Sequence, residues 1–202
     1  MSLADPLAAI TRPFRAVIFD CDGTLADSMP LHYQALSSTL AERGASISEE
    51  LFYELGGVPT VEIARILNER FGYHLDVEEA AAAKEARYAE LLPQVRPVER
   101  VLEMVREYRG RYPLGVASGT IRPLVEKTLA ALGIAHYFDA VCTADDIRRG
   151  KPDPELFLLT AQRLGVAPAD CVVFEDSDLG LEAARRAGMQ PVDIRPWLPG
   201  RH

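Results

Sequence analysis

Two aspartates separated by one residue directly follow a short apolar run near the start of the chain. The run Ala16–Phe19 predicts a buried strand, and Asp20 and Asp22 come immediately after it. Because side chains alternate between the two faces of a strand, both carboxylates can point the same way at its carboxyl end. Two such groups resist joint ionisation unless a cation lies between them or they share a proton. The pair therefore indicates a cation site or acid–base chemistry, next to the tight turn that Gly23 permits.

A second polar stretch is suited to holding a phosphate group. Another apolar strand ends in Ser118, Gly119 and Thr120, and a helix is predicted to begin near Ile121. Hydroxyl groups and the free N–H groups at the start of a helix can donate hydrogen bonds to phosphate oxygens. We therefore expect residues 118–120 to contact the substrate, together with the hydroxyl of Thr24 beside the first aspartate pair.

A lysine and an acidic cluster complete the set. Lys151 lies between a glycine and a proline, which limits its backbone freedom, so its ammonium group can act as a fixed charge among carboxylates. Residues 171–174 predict a further apolar strand, which leads into Glu175, Asp176 and Asp178. Carboxylate oxygens at such a position are the ligands that Mg²⁺ takes up, with water completing its octahedron. These residues predict a magnesium site beside a positive charge.

Taken in order, the four segments resemble the haloacid dehalogenase superfamily in its phosphatase and phosphomutase branch. The resemblance extends from about Phe14 to Ile194. Within the superfamily, the chain is most similar to the β-phosphoglucomutase-like subfamily, and there to small sugar-phosphate phosphatases of the fructose-1-phosphatase type. Two stretches carry this closer similarity, the run KPDP at 151–154 and the run FEDSDLGLEAARRAGM at 174–189.

The resemblance implies a role for each motif residue. Asp20 is expected to take the phosphoryl group as an aspartyl phosphate, and Asp22 to act first as general acid and then as general base. Ser118 and Lys151 are expected to hold the phosphoryl oxygens. The implied ligands of Mg²⁺ are Asp20, the main-chain carbonyl of Asp22 and Asp176, followed in rank by Glu175 and then Asp178.

The resemblance also assigns substrate contacts to the helical segment that follows the first motif. His32 and Lys84 match a histidine and a lysine of the subfamily, and Thr60 occupies the place where the mutases carry an arginine that grips a second phosphate. The absence of this arginine favours a Mg²⁺-dependent phosphatase of small sugar or polyol phosphates over the alternative, a sugar phosphomutase. A non-catalytic protein on the same fold is disfavoured because the motif residues are all present, and a dehalogenase because it needs neither an acid at Asp22 nor a metal.

The spacing of the motifs indicates how they are positioned. Residues 31–92 show the periodicity of four helices, whereas the chain beyond Pro97 alternates between helices and apolar strands. Such alternation predicts an α/β fold whose Rossmann-like core is a parallel sheet with helices on both faces. We expect residues 14–28 and 96–196 to form this core and residues 29–95 to form an inserted four-helix cap domain. All motifs then lie at the carboxyl ends of strands, where such sheets bind ligands.

The composition and net charge of the chain disfavour several classes of binding partner. A net charge of −8 and an isoelectric point of about 5.1 argue against binding to nucleic acid or an anionic membrane. No apolar run approaches the ~20 residues of a membrane span, and residues 1–13 lack the features of a signal peptide. Three cysteines without metal-site spacing favour buried free thiols in a reducing cytoplasm. We expect a cytoplasmic monomer that acts on a small phosphorylated metabolite.

Overall fold

A five-stranded parallel sheet forms the centre of the computed structural model, which describes residues 6–198. The strands are β1 (Ala16–Phe19), β2 (Leu114–Ala117), β3 (Ala140–Cys142), β4 (Cys171–Glu175) and β5 (Gln190–Asp193). Their order across the sheet is β3-β2-β1-β4-β5, and every neighbouring pair is parallel. The carboxyl end of β1 therefore lies between those of β2 and β4, and the predicted α/β fold is confirmed.

Helices connect the strands in the predicted order. Between β1 and β2 lie α1 (Met29–Ala41), α2 (Glu49–Glu54), α3 (Thr60–Phe71), α4 (Val77–Leu91) and α5 (Glu99–Tyr108). The later crossovers are α6 (Arg122–Ala131), α7 (Glu155–Leu164) and α8 (Asp178–Arg186). Each of these three helices joins consecutive strands, as right-handed strand–helix–strand units require.

Both faces of the sheet are covered, which explains why its strands are almost entirely apolar. Val17 and Phe19 point into a cluster with α5 and α6 on one face, while Ala16 and Ile18 point into a cluster with α7 and α8 on the other. All four residues of β1 are completely buried. This alternation fixes the direction of the strand, and therefore the direction in which the aspartates after it emerge.

The helices α1 to α3 share an apolar cluster of their own, and Val77 at the start of α4 packs against it. Its buried members all fall between residues 36 and 75, and Leu36, Leu40 and Leu67 are the largest fully buried side chains among them. A smaller cluster joins this part of the chain to the sheet side, where Leu124 of α6 packs with Tyr88 and Leu92. The functional residues of α1 and α4 are thus held against the carboxyl end of the sheet.

Serine, threonine and aspartate are the side chains that usually cap the start of a helix, but only two of the four such residues that precede or begin α1 to α4 do so here. Ser48 and Asp76 accept hydrogen bonds from the backbone N–H groups of Leu51 and Glu79, as expected for N-caps. Thr60, in contrast, is the first residue of α3, and Pro59 precedes it. Ser28 precedes α1 but makes no side-chain cap, because its hydroxyl donates to Asp22 instead.

The described part of the amino-terminal stretch is attached to the sheet. The backbone N–H groups of Thr11 and Arg12 donate to the buried side chain of Gln190 in β5. Residues 1–5, on which part of the signal-peptide expectation rests, lie outside the described residues. Across residues 6–198, none of the helices has the length and apolar character needed to cross a membrane.

Candidate active site

Asp20 and Lys151 form a buried ion pair at the carboxyl end of β1. The Lys151 Nζ atom lies 2.5 Å from Asp20 Oδ1 and 2.7 Å from Glu175 Oε2. Burial strongly opposes ionisation of Asp20, and the negative charges of Glu175 and Asp176 add to this, so the pKa of Asp20 is raised despite the lysine. Burial disfavours the lysine charge too, but the two carboxylates outweigh it and raise the pKa of Lys151. Lys151 therefore remains charged.

Glu175 is fixed by donors on both of its oxygens. Oε2 accepts from Lys151, while Oε1 accepts from the backbone N–H groups of Asp176 and Ser177 and from the Ser177 hydroxyl. A Cβ at Gly180 would overlap the Glu175 carboxylate, so the first turn of α8 leaves the space that this side chain fills. Glu175 consequently holds the lysine and the loop after β4 in place.

Asp176 completes an acidic group with Asp20 and Glu175. One carboxylate oxygen from each of the three lies within 4.8 Å of the others. The Thr24 hydroxyl donates to Asp176 Oδ1 at 2.9 Å, and Gly23, with φ of +89°, leaves room that a Cβ would take from the Asp176 carboxylate. Three converging carboxylates with one lysine carry excess negative charge in a largely buried place. An all-oxygen donor set of this kind fits a hard divalent cation such as Mg²⁺.

Asp22 is surrounded by hydrogen-bond donors from four separate segments. Its carboxylate accepts from the hydroxyls of Ser28 (2.8 Å), Tyr88 (3.3 Å), Ser118 (3.5 Å) and Thr120 (2.8 Å) and from His32 Nε2 (3.1 Å). Burial opposes its ionisation, but His32, Thr120 and Ser28 more than offset that effect, so the pKa of Asp22 lies below its usual range. In this arrangement Asp22 is a carboxylate.

His32 and Lys84 form a chain of hydrogen bonds that ends at Asp22. Lys84 Nζ lies 2.8 Å from His32 Nδ1, and because an ammonium group can only donate, Nδ1 accepts and Nε2 carries the proton towards Asp22. Burial and the nearby Lys84 charge lower the pKa of His32, so the ring is neutral at pH 7. The Tyr88 ring stacks on the imidazole with centroids 3.7 Å apart, which fixes its orientation.

Hydrogen bonds within the turn after β2 hold the hydroxyl groups of Ser118 and Thr120 towards Asp22. The Ser118 hydroxyl accepts from the backbone N–H of Thr120 at 3.1 Å, and both hydroxyls approach Asp22. Ser118 is buried, whereas Gly119 is exposed. The predicted phosphate contacts therefore lie beside Asp22 in the same cavity as Asp20.

One cavity of about 250 Å³ joins these groups to the helices above them. It is lined by most of the residues predicted from the sequence, which are Asp20, Asp22, His32, Thr60, Lys84, Ser118, Gly119, Thr120, Lys151, Glu175 and Asp176. Thr24 is outside this lining and fully buried, and it orients Asp176. Asp178 points to solvent and pairs with Arg195 Nη1 at 2.9 Å, so it does not belong to the acidic group.

Sequence reasoning missed three members of the site. Ser28 was assigned to helix capping, and the hydroxyl of Tyr88 and the carboxylate of Glu85 were assigned no role. Tyr88 follows Lys84 by four residues and therefore shares its helix face, a signal that could have identified it. Glu85 lines the cavity beside Lys84, but its sequence context gives no comparable indication.

Comparisons with known proteins agree with this geometry. A family model described as haloacid dehalogenase-like hydrolase matches residues 17–194. Fructose-1-phosphate phosphatase YqaB of Escherichia coli is 43% identical over 183 residues, covering 90% of this chain and 97% of the relative. A phosphorylated carbohydrates phosphatase of Thermotoga maritima is 36% identical over an alignment that covers 88% of this chain and 83% of the length of that relative. The resemblance drawn from the motifs is thereby confirmed.

A solved structure supports the same fold. β-Phosphoglucomutase from Clostridium difficile superposes with a TM-score of 0.77 at 25% identity, covering 88% of this chain and 83% of that one. The proteins that this chain resembles therefore include both phosphatases and a mutase, the two types that the motifs left as alternatives. The choice between these two types depends on the residues of the cavity.

Proposed function

The chain belongs to the haloacid dehalogenase-like hydrolase family, and on that premise we propose that it is a Mg²⁺-dependent phosphatase of small sugar or polyol phosphates. The observation that carries the proposal is the convergence of Asp20, Lys151 and Asp176 with Asp22 at one end of a single cavity. The relatives named for phosphatase activity on fructose 1-phosphate and on phosphorylated carbohydrates support this substrate class.

We propose that Asp20 attacks phosphorus and forms an aspartyl phosphate while the bond from phosphorus to the sugar oxygen breaks. Lys151 donates to Asp20, and Ser118 lines the same cavity with its hydroxyl near Asp22, so the phosphoryl oxygens would meet donors as the substrate arrives. Asp20, Asp176 and the main-chain carbonyl of Asp22 would hold Mg²⁺, with Glu175 beside them. The ion would offset the negative charge of the transferring group.

Asp22 would exchange protons with the leaving group and with water. As a carboxylate it is ready to take a proton from the water that hydrolyses the aspartyl phosphate. To protonate the leaving oxygen first, it must gain a proton. A bound phosphoryl group would compete for the hydroxyls of Ser118 and Thr120, which now stabilise the Asp22 carboxylate. Loss of those donors and the added negative charge would both raise the pKa of Asp22 towards the range a general acid needs.

A screen of phosphorylated metabolites, with and without Mg²⁺, tests the proposal directly. We expect release of inorganic phosphate from sugar or polyol monophosphates, and loss of that activity when the metal is chelated. Release of no phosphate from any monoester in the presence of Mg²⁺ would refute the proposed function.

Replacement of Asp22 by alanine separates its role from that of Asp20. We expect turnover of alkyl phosphates to fall by about 10²–10⁴-fold, the usual contribution of general acid–base catalysis. With an aryl phosphate, whose leaving group needs little protonation, the slowing of aspartyl-phosphate formation should be much smaller. Rapid-quench measurement of the first turnover gives both numbers, and equal losses for the two substrates would contradict the acid role.

The cavity favours a phosphatase over a mutase. A mutase must hold a bisphosphate at both ends. Thr60 lines the cavity at the position where, by the family resemblance, the mutases carry an arginine, and Lys84 already bonds to His32, which supports the phosphatase. With β-glucose 1-phosphate and Mg²⁺ we expect phosphate as the main product, whether or not glucose 1,6-bisphosphate is added. Bisphosphate-dependent formation of glucose 6-phosphate that outruns phosphate release would establish the mutase instead.

We propose that residues 14–28 and 96–196 form the catalytic core domain and residues 29–95 the cap domain, with the site between them. The separate apolar cluster of α1 to α3 supports this division. Because every residue of the site belongs to one chain, we propose that the monomer is active. The buried free thiols Cys21, Cys142 and Cys171 support a reducing, cytoplasmic setting.

A further inference from the structure

Glu85 is an acidic side chain of the cavity that the reaction described above does not use. It lies on α4 next to Lys84, lines the cavity and is half-buried. Within residues 6–198 no hydrogen bond or ion pair engages its carboxylate, and the neighbouring Lys84 ammonium donates to His32. A carboxylate without a partner in a binding cavity costs free energy that a surface position would avoid.

The side chains that line the cavity carry more negative than positive charge, and Glu85 adds to this excess. Five carboxylates line the cavity, those of Asp20, Asp22, Glu85, Glu175 and Asp176, against the two lysines Lys84 and Lys151. Four of the five serve the phosphoryl end, where a divalent cation and Lys151 would offset them. Glu85 instead belongs to α4, on the side of the lining that the helices between β1 and β2 form, and the leaving group must extend towards that side because the phosphoryl group meets the strand ends.

A second carboxylate, that of Asp145, acts on the region around Glu85. Burial is the main reason that the pKa of Glu85 is raised, and the charge of Asp145, in the loop after β3, adds to that while Lys84 opposes it. Asp145 accepts the backbone N–H of Arg122 at the start of α6, so it is fixed on the sheet side. Two carboxylates thus act on the same region, one from the cap side and one from the sheet side.

Apolar side chains make up much of the remaining wall. Phe52, Val58, Ile63, Ile121 and Leu124 all line the cavity. An apolar wall screens charge poorly, so a carboxylate within it repels an anion more strongly than it would in water. Among the described residues the lining has no arginine and no lysine other than Lys84 and Lys151, and both of these already bond to other groups of the site.

We propose that Glu85 is a specificity-determining residue that excludes substrates whose leaving group carries a negative charge. The preferred substrates would be monophosphates with an uncharged polyhydroxy end, and bisphosphates and phosphorylated carboxylic acids would be rejected. This inference rests on the proposed phosphatase function and adds a selection rule to it.

Two matched substrate pairs test the rule. Glycerol 3-phosphate differs from 3-phosphoglycerate in a carboxylate, and fructose 1-phosphate differs from fructose 1,6-bisphosphate in a second phosphate. The ratio of kcat/KM for the neutral to the charged member is measured in wild type, Glu85→Gln, Glu85→Lys and Glu90→Gln. The last variant removes an exposed carboxylate from the same helix outside the cavity.

We expect wild type and Glu90→Gln to favour the neutral member of each pair to the same extent. Glu85→Gln should reduce that preference about tenfold or more by raising kcat/KM for the charged member, and Glu85→Lys should reduce it further. An unchanged ratio in both Glu85 variants, or a change due only to loss on the neutral substrate, would overturn the proposal.

p-Nitrophenyl phosphate separates this failure from failure of the underlying function. Wild type and Glu90→Gln should turn it over with Mg²⁺ at similar rates, since Glu90 lies outside the cavity. Turnover with an unchanged substrate ratio would refute the selection rule alone. Absence of turnover of every ester in wild type would refute both the phosphatase function and the rule that rests on it.

Discussion

Replacement of Asp20 by asparagine is expected to abolish turnover while leaving the fold intact. Asparagine has nearly the same shape, but its amide is not a nucleophile and cannot form the acyl phosphate. Lys151 would retain its bond to Glu175, so the buried ammonium group would not lose its charge partner. We expect kcat to fall by about 10⁴-fold or more, as is found when a covalent nucleophile is removed from an enzyme.

The measurement is steady-state release of phosphate from a sugar monophosphate at saturating Mg²⁺, with thermal unfolding recorded for the same preparations. Asp178→Asn is a matched control, since this aspartate follows the same acidic loop but points to solvent and pairs with Arg195. It should retain activity within about twofold. A well-folded Asp20→Asn protein with turnover within tenfold of wild type would disprove the assignment of the nucleophile.

The strands of the sheet could be predicted because their burial is complete. A strand covered on both faces has no polar positions, so β1 and β2 read as uninterrupted apolar runs, and their bounds agree with the prediction. The bounds of the helices were less certain, because a helix can begin at a residue such as Thr60 without a side-chain cap.

The meeting of the motifs could also be predicted, because it follows from topology alone. Parallel strands place their carboxyl ends on one edge of the sheet, and the order β2-β1-β4 brings Ser118, Asp20 and Glu175 together. Lys151 lies in a loop rather than at a strand end, and its position depends on the pairing with Asp20 and Glu175.

The ionisation state of Asp22 could not be predicted from the sequence. It depends on donors from the residue before α1, from α1, from α4 and from the turn after β2. The most distant of these donors, Thr120, is 98 residues from Asp22 in the chain. Ser28 illustrates the difficulty, because a serine before a helix usually caps it, whereas here the hydroxyl turns to Asp22. The sequence therefore predicted which groups come together in the cavity but not the protonation state in which the structure holds them.

Replacement of Lys151 by methionine is expected to affect both stability and catalysis. Methionine keeps much of the apolar stem, but it removes the ammonium group, which lies 5.2 Å from the centroid of the Phe157 ring, and so leaves Asp20, Glu175 and Asp176 without that charge. Removal of one partner from a buried ion pair typically costs about 3–5 kcal/mol of the free energy of unfolding. Turnover should fall by about 10³-fold or more, since a fixed charge on the transferring phosphoryl group is lost as well.

Denaturant unfolding at neutral pH without divalent ions measures the loss of stability, and Lys127→Met is the matched control. Lys127 is exposed on α6, so its replacement should change the free energy of unfolding by no more than about 0.5 kcal/mol. In the Lys151 variant the uncompensated carboxylates would have pKa values above those of the unfolded chain. The folded state would then bind more protons, and the deficit relative to wild type should shrink as the pH falls from 7 towards 5.

The pH dependence distinguishes charge imbalance from a simple packing defect. A cavity or a misfit methionine would lower stability equally at pH 7 and pH 5, because neither involves a titrating group. Added Mg²⁺ should likewise restore part of the lost stability in Lys151→Met, since a divalent cation would meet three carboxylates that the lysine no longer neutralises. A deficit that is the same at both pH values and unaffected by Mg²⁺ would contradict the view that Lys151 balances the charge of this acidic group.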